Sequence, residues 1–160
     1  MRTGRYRAWR FLHPDLDYKS REAGLGVTPT GGIELVEDIA SVRQAILLLL
    51  STRPGERVMR PKYGCNLHRL IFAPNDDTTA GLAIHYVREA LTMWEPRIEV
   101  LELDATRDSP DDSYGNATAG GSPVISAVPG ALQIYLQYRV KALQATDHLV
   151  YPMQLTGETP

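Results

Sequence analysis

A single cysteine, Cys65, stands in 160 residues, so no intrachain disulfide can form, a usage that suits synthesis in the cytosol. Long apolar runs are missing too. The longest, Ala45 to Leu50, is far short of the ~20 residues that span a bilayer. The basic N-terminus leads into "FLHPDLDYKS", which lacks the apolar centre of a signal peptide. The expectation is a soluble chain made without an export signal. Charge of one sign is also scarce: a net charge of -2 and a pI near 6.1 give no global reason to expect a nucleic-acid partner. Arg2, Arg5, Arg7 and Arg10 make the start of the chain basic, and a solvated terminus accounts for them better than a binding arm does. Few catalytic constellations exist. His13, His68, His85 and His148 are not spaced with one another or with Cys65 as metal ligands are. No serine sits in a nucleophile elbow, and no base can be assigned to Cys65. Neither a cofactor nor a metal is expected.

The chain suffices for one domain with a real core. Residues 1–32 read as an irregular lead-in, because "HPDLD" and "GLGVTPTGG" are rich in turn formers. Trp9, Phe11 and Leu12 would be wasted apolar surface if always solvated, so this segment is expected to order only against partners. Order is expected from residue 33, in a single domain over 33–160. A first helix with Asp38 as its cap carries Ile39, Val42, Ile46 and Leu49 at three- and four-residue steps. It ends at "RPG", where Pro54 disfavours helix at Arg53. A short helix can follow at Leu67, Leu70 and Ile71. A second long helix places Ala80, Ala83, Ile84, Val87, Ala90, Leu91 and Trp94 on one face, with Asn75, Asp76, Asp77 and Thr78 as candidate caps.

Then "RIEVLELDA" alternates, with a slip at Val100 and Leu101 that means either a bulge or a strand covered on both faces. Residues 106–130 read as a long flexible loop. After it "ALQIYLQYRVKAL" puts Leu132, Ile134, Leu136, Tyr138 and Val140 on one face and polar residues on the other, the pattern of a half-buried antiparallel strand. "QATDH" turns the chain into a last strand, "LVYPMQL", where Pro152 suggests an edge. The predicted architecture is α+β: two long helices on a small, mostly antiparallel sheet with a C-terminal β-hairpin.

Carboxylates are the one enzymatic option. Glu95, Glu99, Glu102 and Asp104 cluster, and a glycosidase needs two carboxyl groups across a cleft, one kept protonated by an apolar setting. On a regular strand Glu99 and Glu102 point to opposite faces unless a bulge corrects them, and a solvated strand edge is the simpler reading. Glu95 sits where the second helix ends, at the negative end of its dipole, so a cation should offset it. Arg97 is nearest, with Arg53 and Arg57 as alternatives. Pro96 fixes a backbone angle between the two charges, and a Glu/Arg pair so held can be an internal staple or a docking point.

The stretch "VEDIASVRQAILLLLSTRPGERVMRPKYGCNLHRLIF", the helix after it and "WEPRIEV" together resemble the baseplate wedge family of contractile phage tails, type VI secretion systems and extracellular contractile injection particles, sometimes labelled lysozyme-like protein W. The specific parts are "TRPGER", "RPKYG" and the Glu95-Pro96-Arg97 triplet, in that order. The similarity runs from Ile33 to Leu103, and "LVYPMQL" looks like the family's usual ending. It implies structural work without catalysis, as part of a virion or tail-like particle after cytoplasmic assembly. Several copies would ring the tube, hold other wedge proteins through Glu95, Pro96 and Arg97, and offer a sheet on which sheath subunits assemble, with inner tube proteins as further candidate partners. No nucleic acid or membrane partner is implied. Leu132, Ile134, Leu136, Tyr138, Leu149 and Tyr151 are the hairpin residues expected at the sheath contact, by β-strand pairing. The alternative function is a peptidoglycan-cleaving, lysozyme-like hydrolase.

Overall fold

The computed structural model describes residues 5–12, 24–107 and 131–155. Four short strands come first, β1 (Arg7–Trp9), β2 (Phe11–Leu12), β3 (Gly24–Leu25) and β4 (Leu35–Glu37), followed by α1 (Asp38–Ser51). A 3₁₀ turn at Asn66–Leu70 leads into α2 (Asp77–Trp94), and β5 (Ile98–Arg107), β6 (Ala131–Val140) and β7 (Ala145–Gln154) follow. The fold is α+β, with α1 and α2 packed on each other and on one face of the antiparallel sheet β5-β6-β7.

Periodicity places the core. The inward residues of β6, namely Leu132, Ile134, Leu136, Tyr138 and Val140, are all at most 1% exposed, and they meet Val42, Ile46 and Leu49 of α1 and Ala83, Val87 and Leu91 of α2 in one cluster. The second half of α1 buries Ile46, Leu47, Leu49 and Leu50, as expected of a helix that is apolar nearly all round. On α2 the cap is Asp76, whose side chain accepts the Thr79 amide at 2.8 Å. The slip in β5 is a bulge: the register shifts between Val100 and Glu102. Ile98 and Leu103 therefore both face inward, while Glu99, Leu101, Glu102 and Asp104 are exposed.

Several expectations need revision. Order does not wait for residue 33, because β1 pairs with β4, β2 with β3, and Val27 bridges Ile33. Gln44 of α1 supplies a strand-like partner to this segment: its carboxamide donates to the Trp9 carbonyl (2.8 Å) and accepts from the Phe11 amide (3.0 Å). Gly26 lets the strands close up, since a Cβ there would lie 2.8 Å from Glu34 Oε2, and Glu34 is itself paired with Arg10 at 2.7 Å. Asp38 is not a helix cap. Its backbone is left-handed (φ 51°), and its carboxylate accepts the amides of Arg5 (2.7 Å) and Tyr6 (3.3 Å), so a side chain suited to capping ties down the incoming strand instead. The last turn lies at Lys141–Gln144, with Gln144 at φ 52°, and β7 begins at Ala145, earlier than the turn formers of "QATDH" suggest. Thr106 and Arg107 belong to β5, paired with Gln133 and Leu132; the rest of the expected loop lies outside the described residues, as do residues 1–4 and 13–23.

One polar group is buried beneath the sheet. The Tyr138 hydroxyl donates to Asp147 Oδ2 at 2.7 Å, and Arg43 reaches both that carboxylate (3.3 Å) and the His148 carbonyl (2.9 Å). Burial, then the bond and charge of Asp147, push the phenol pKa well above its ordinary value. A raised phenol pKa means that the native state holds the proton the unfolded chain releases. This contribution to stability is complete below about pH 10 and is lost as pH rises beyond it. Urea unfolding of the protein and of Tyr138→Phe should therefore show a stability gap of about 1 kcal/mol at neutral pH that narrows between about pH 9 and 11. A gap constant across that range would contradict the assignment.

Candidate functional site

The Glu95-Pro96-Arg97 triplet lies where α2 ends and β5 begins. Helix hydrogen bonding runs as far as Glu95, whose amide donates to Leu91 O at 3.0 Å, and Pro96 then supplies no donor to continue it. Glu95 is 5% exposed. Both its carboxylate oxygens are taken by one guanidinium, with Arg97 Nε at 2.5 Å from Oε1 and Nη2 at 2.6 Å from Oε2. The bond from Glu95 raises the Arg97 pKa further, against the opposing effect of burial. A fork-to-fork pair of this kind fixes direction as well as charge.

Other segments gather on this pair. The Arg97 guanidinium lies over the Tyr6 ring, 5.2 Å from its centroid, a cation–π contact that joins the lead-in to the junction. From the β6–β7 turn, Lys141 donates through its amide to Arg97 O and through Nζ to Pro96 O, both at 2.9 Å, which places a second cation at the C-terminal end of α2. Tyr63 packs edge-on against Trp94 at 5.4 Å and carries Arg57 over its ring at 4.5 Å. Burial raises the Tyr63 pKa, with Arg57 opposing.

The segment between the two helices is built to a close tolerance. Its neck is closed by bonds from the Cys65 amide to Thr52 O (2.9 Å) and from the Gly55 amide to Pro61 O (2.8 Å). Gly64 is left-handed at φ 135°, and a Cβ on it would stand 2.5 Å from Thr52 O. Only glycine fits there. "TRPGER" and "RPKYG" are thus the two limbs of one folded loop.

The comparisons with known proteins agree with this geometry. The family model of baseplate wedge protein gp25 matches residues 36–145, an interval that contains both loop limbs and the triplet. The chain belongs to the baseplate wedge protein gp25 family. Baseplate wedge protein gp25 of Enterobacteria phage T4 is 29% identical over 66 residues, which span 41% of this chain and half the length of that protein. A crystal structure from Geobacter sulfurreducens, of a protein with the provisional description of tail lysozyme, superposes with a TM-score of 0.57 at 35% identity, covering 74% of this chain and 91% of that one. A chain of the six-fold symmetrised baseplate of the anti-feeding prophage shares the fold, with a TM-score of 0.58 at 22% identity over 72% of this chain and 79% of its own.

Within this gp25-family chain the predicted residues separate into two groups. Glu95, Pro96 and Arg97 form the junction. The side chains of Leu132, Ile134, Leu136, Tyr138 and Leu149 are buried, at no more than 3% exposure, and β6 is paired along its length with both β5 and β7. Those four β6 residues are therefore core, and neither their side chains nor their backbone is open to a partner; Tyr151 is half-buried against the same core. The sheet has two edge strands, β5 and β7, and the edge of the C-terminal hairpin is that of β7. The carboxylates assort similarly. The bulge puts Glu99 and Glu102 on the same outward face, where Glu99 lies 3.7 Å from Arg139, and no apolar setting surrounds them. Glu95 is buried, but with both oxygens held by Arg97 neither can pass a proton to a glycosidic oxygen. Burial also raises the pKa of the Cys65 thiol, the opposite of what a nucleophile needs. Tyr6 and Lys141 were not legible as members of the site, because they arrive from 91 and 44 positions away from Arg97 and no local pattern marks them.

Removing Arg97 would strand a buried carboxylate, so the two possibilities for the pair can be separated in the isolated chain. Arg97→Ala should lower the unfolding free energy by about 3 to 5 kcal/mol in urea titrations. A loss under about 1 kcal/mol, the scale of an exposed ion pair, would show that the pair is no staple.

Proposed function

We propose that this chain is a structural baseplate component of a contractile injection apparatus, which joins wedge proteins through the surface around Arg97 and primes sheath assembly through the edge of β7. Membership of the gp25 family supports the setting. The observation that carries the reading is a division of labour in the structure: the residues that align the two helices are buried, while the surfaces left over are an edge strand and an apolar face.

The apolar face belongs to the lead-in. Trp9 stands opposite Leu35, Phe11 opposite Leu25, and Val27 opposite Ile33; directly opposed residues share a face. All six are between 40% and 67% exposed. The flanking charges are neutralised within the sheet by Arg7–Glu37 (3.1 Å) and Arg10–Glu34 (2.7 Å). Tyr6, on the inward side of the same segment, lies against Arg97. The Glu95–Arg97 pair thus acts on the binding of a wedge partner by holding this segment, and with it the outward apolar face, in place. Among the described residues no helix is long and apolar enough to cross a membrane.

β7 lies at one margin of the sheet, with β5 at the other. Its inward residues Leu149 and Met153 fix the register. The His148 carbonyl is already held by Arg43, so strand addition falls to the C-terminal half of β7, where Pro152 leaves a gap in the donors. Inner tube proteins are candidate neighbours on the same reading.

The structure of the assembled baseplate is the test. A sheath extension should run along β7 beyond His148 with main-chain hydrogen bonds interrupted at Pro152, and a wedge subunit should cover Trp9, Phe11 and Leu35. Sheath contacts made through side chains alone would overturn the priming mechanism even with the chain in its expected place.

A further inference from the structure

The loop between the helices carries two apolar side chains that do nothing for the fold. Val58 is 94% exposed and Met59 90%, close to the exposure of an unfolded chain, yet the backbone that bears them is held firmly. Besides the neck bonds and the fit of Gly64, amides inside the loop bond back on it, Arg60 to Arg57 O and Tyr63 to Arg60 O, both at 3.0 Å. The Arg57–Tyr63–Trp94 stack anchors one flank to α2. Such a loop loses little further freedom when its tip is seated. Its charge is also distinct from that of the chain. Residues 53–62 hold four cations, Arg53, Arg57, Arg60 and Lys62, against the one carboxylate of Glu56, in a molecule of net charge -2.

We infer that this loop is a third assembly contact, a preformed knob that inserts Val58 and Met59 into an apolar pocket rimmed by carboxylates on a neighbouring protein subunit. The charge selects an acidic rim, and the aliphatic tip selects an apolar floor. Two side chains bury too little area to hold a membrane, and the tip offers no aromatic ring on which a nucleic-acid base could stack. Seated in a pocket, a central apolar pair ringed by polar contacts has the arrangement of an interface hot spot.

The inference rests on the baseplate reading, and its test uses the native particle. A photo-reactive benzoylphenylalanine is introduced in place of Met59 in the full chain, the particles are purified and irradiated, and the linked peptides are mapped by mass spectrometry. In parallel, particle yield is measured for Val58→Ser/Met59→Ser and for Arg57→Glu/Arg60→Glu. The expected result is one protein cross-link, to a peptide with apolar residues beside Asp or Glu, and a fall in particle yield of at least about tenfold for both double variants. The serine variant should retain the melting temperature of the parent, since neither side chain is packed. If the chain is present in the particle but cross-links to nothing, to lipid or nucleic acid, or to a surface without carboxylates, or if yields are unchanged, the inference is overturned and the baseplate reading stands. If the chain is missing from purified particles, both fall.

Discussion

A buried carboxylate at the end of a helix is unfavourable twice over: it is desolvated, and it meets the negative end of the dipole. Glu95 is tolerated because Arg97, two residues on, satisfies both its oxygens. Pro96 between them stops the helix and limits the backbone, so one short triplet ends α2, starts β5 and sets the angle between them. The β6–β7 turn through Lys141, the lead-in through Tyr6 and the inter-helix loop through Tyr63 and Trp94 all come to rest on this junction. The segments that carry the three surfaces proposed for assembly are each anchored to it.

This arrangement changes how the triplet relates to binding. A pair that satisfies itself has little left to give a partner, and its contribution is to hold other groups: the Tyr6 ring, the adjoining apolar face and the base of the loop. Loss of assembly on mutating the triplet would then follow from displaced neighbours as well as from any direct contact. The solvent side of Arg97, whose side chain is 31% exposed, remains accessible at the centre of that region.

What the sequence disclosed follows from how far each signal reaches. The alternation of β6 and the three- and four-residue steps of α2 are local and strong, so the core face could be read directly. The bulge at Val100 and Leu101 was visible as a break in period. Glycine and proline punctuation marked the inter-helix loop, though not that Gly64 closes against Thr52. The order of the lead-in was not legible because it comes from contacts some 25 to 35 residues apart, such as Gln44 with Trp9 and Phe11 and Asp38 with Arg5 and Tyr6, and a segment poor in periodicity gives no hint of them. The hairpin was recognised, but its alternation marked β6 as core, and an inward face cannot at the same time be a docking face. Only the pairing order shows that β5 and β7 are the edges of the sheet, so that the free edge of the hairpin is that of β7.

The central claim is that Glu95 and Arg97 stabilise the junction as a pair and not as two independent charges. A double-mutant cycle measures this most directly: urea unfolding of the parent, Glu95→Leu, Arg97→Leu and the double variant. If the pair is a staple, Arg97→Leu strands a buried carboxylate and Glu95→Leu strands a half-buried guanidinium, while the double variant removes both unpaired charges. The account predicts that the double variant is more stable than Arg97→Leu alone, with a coupling energy of about 2 kcal/mol or more. Losses that simply add, with coupling under about 0.5 kcal/mol, would contradict it.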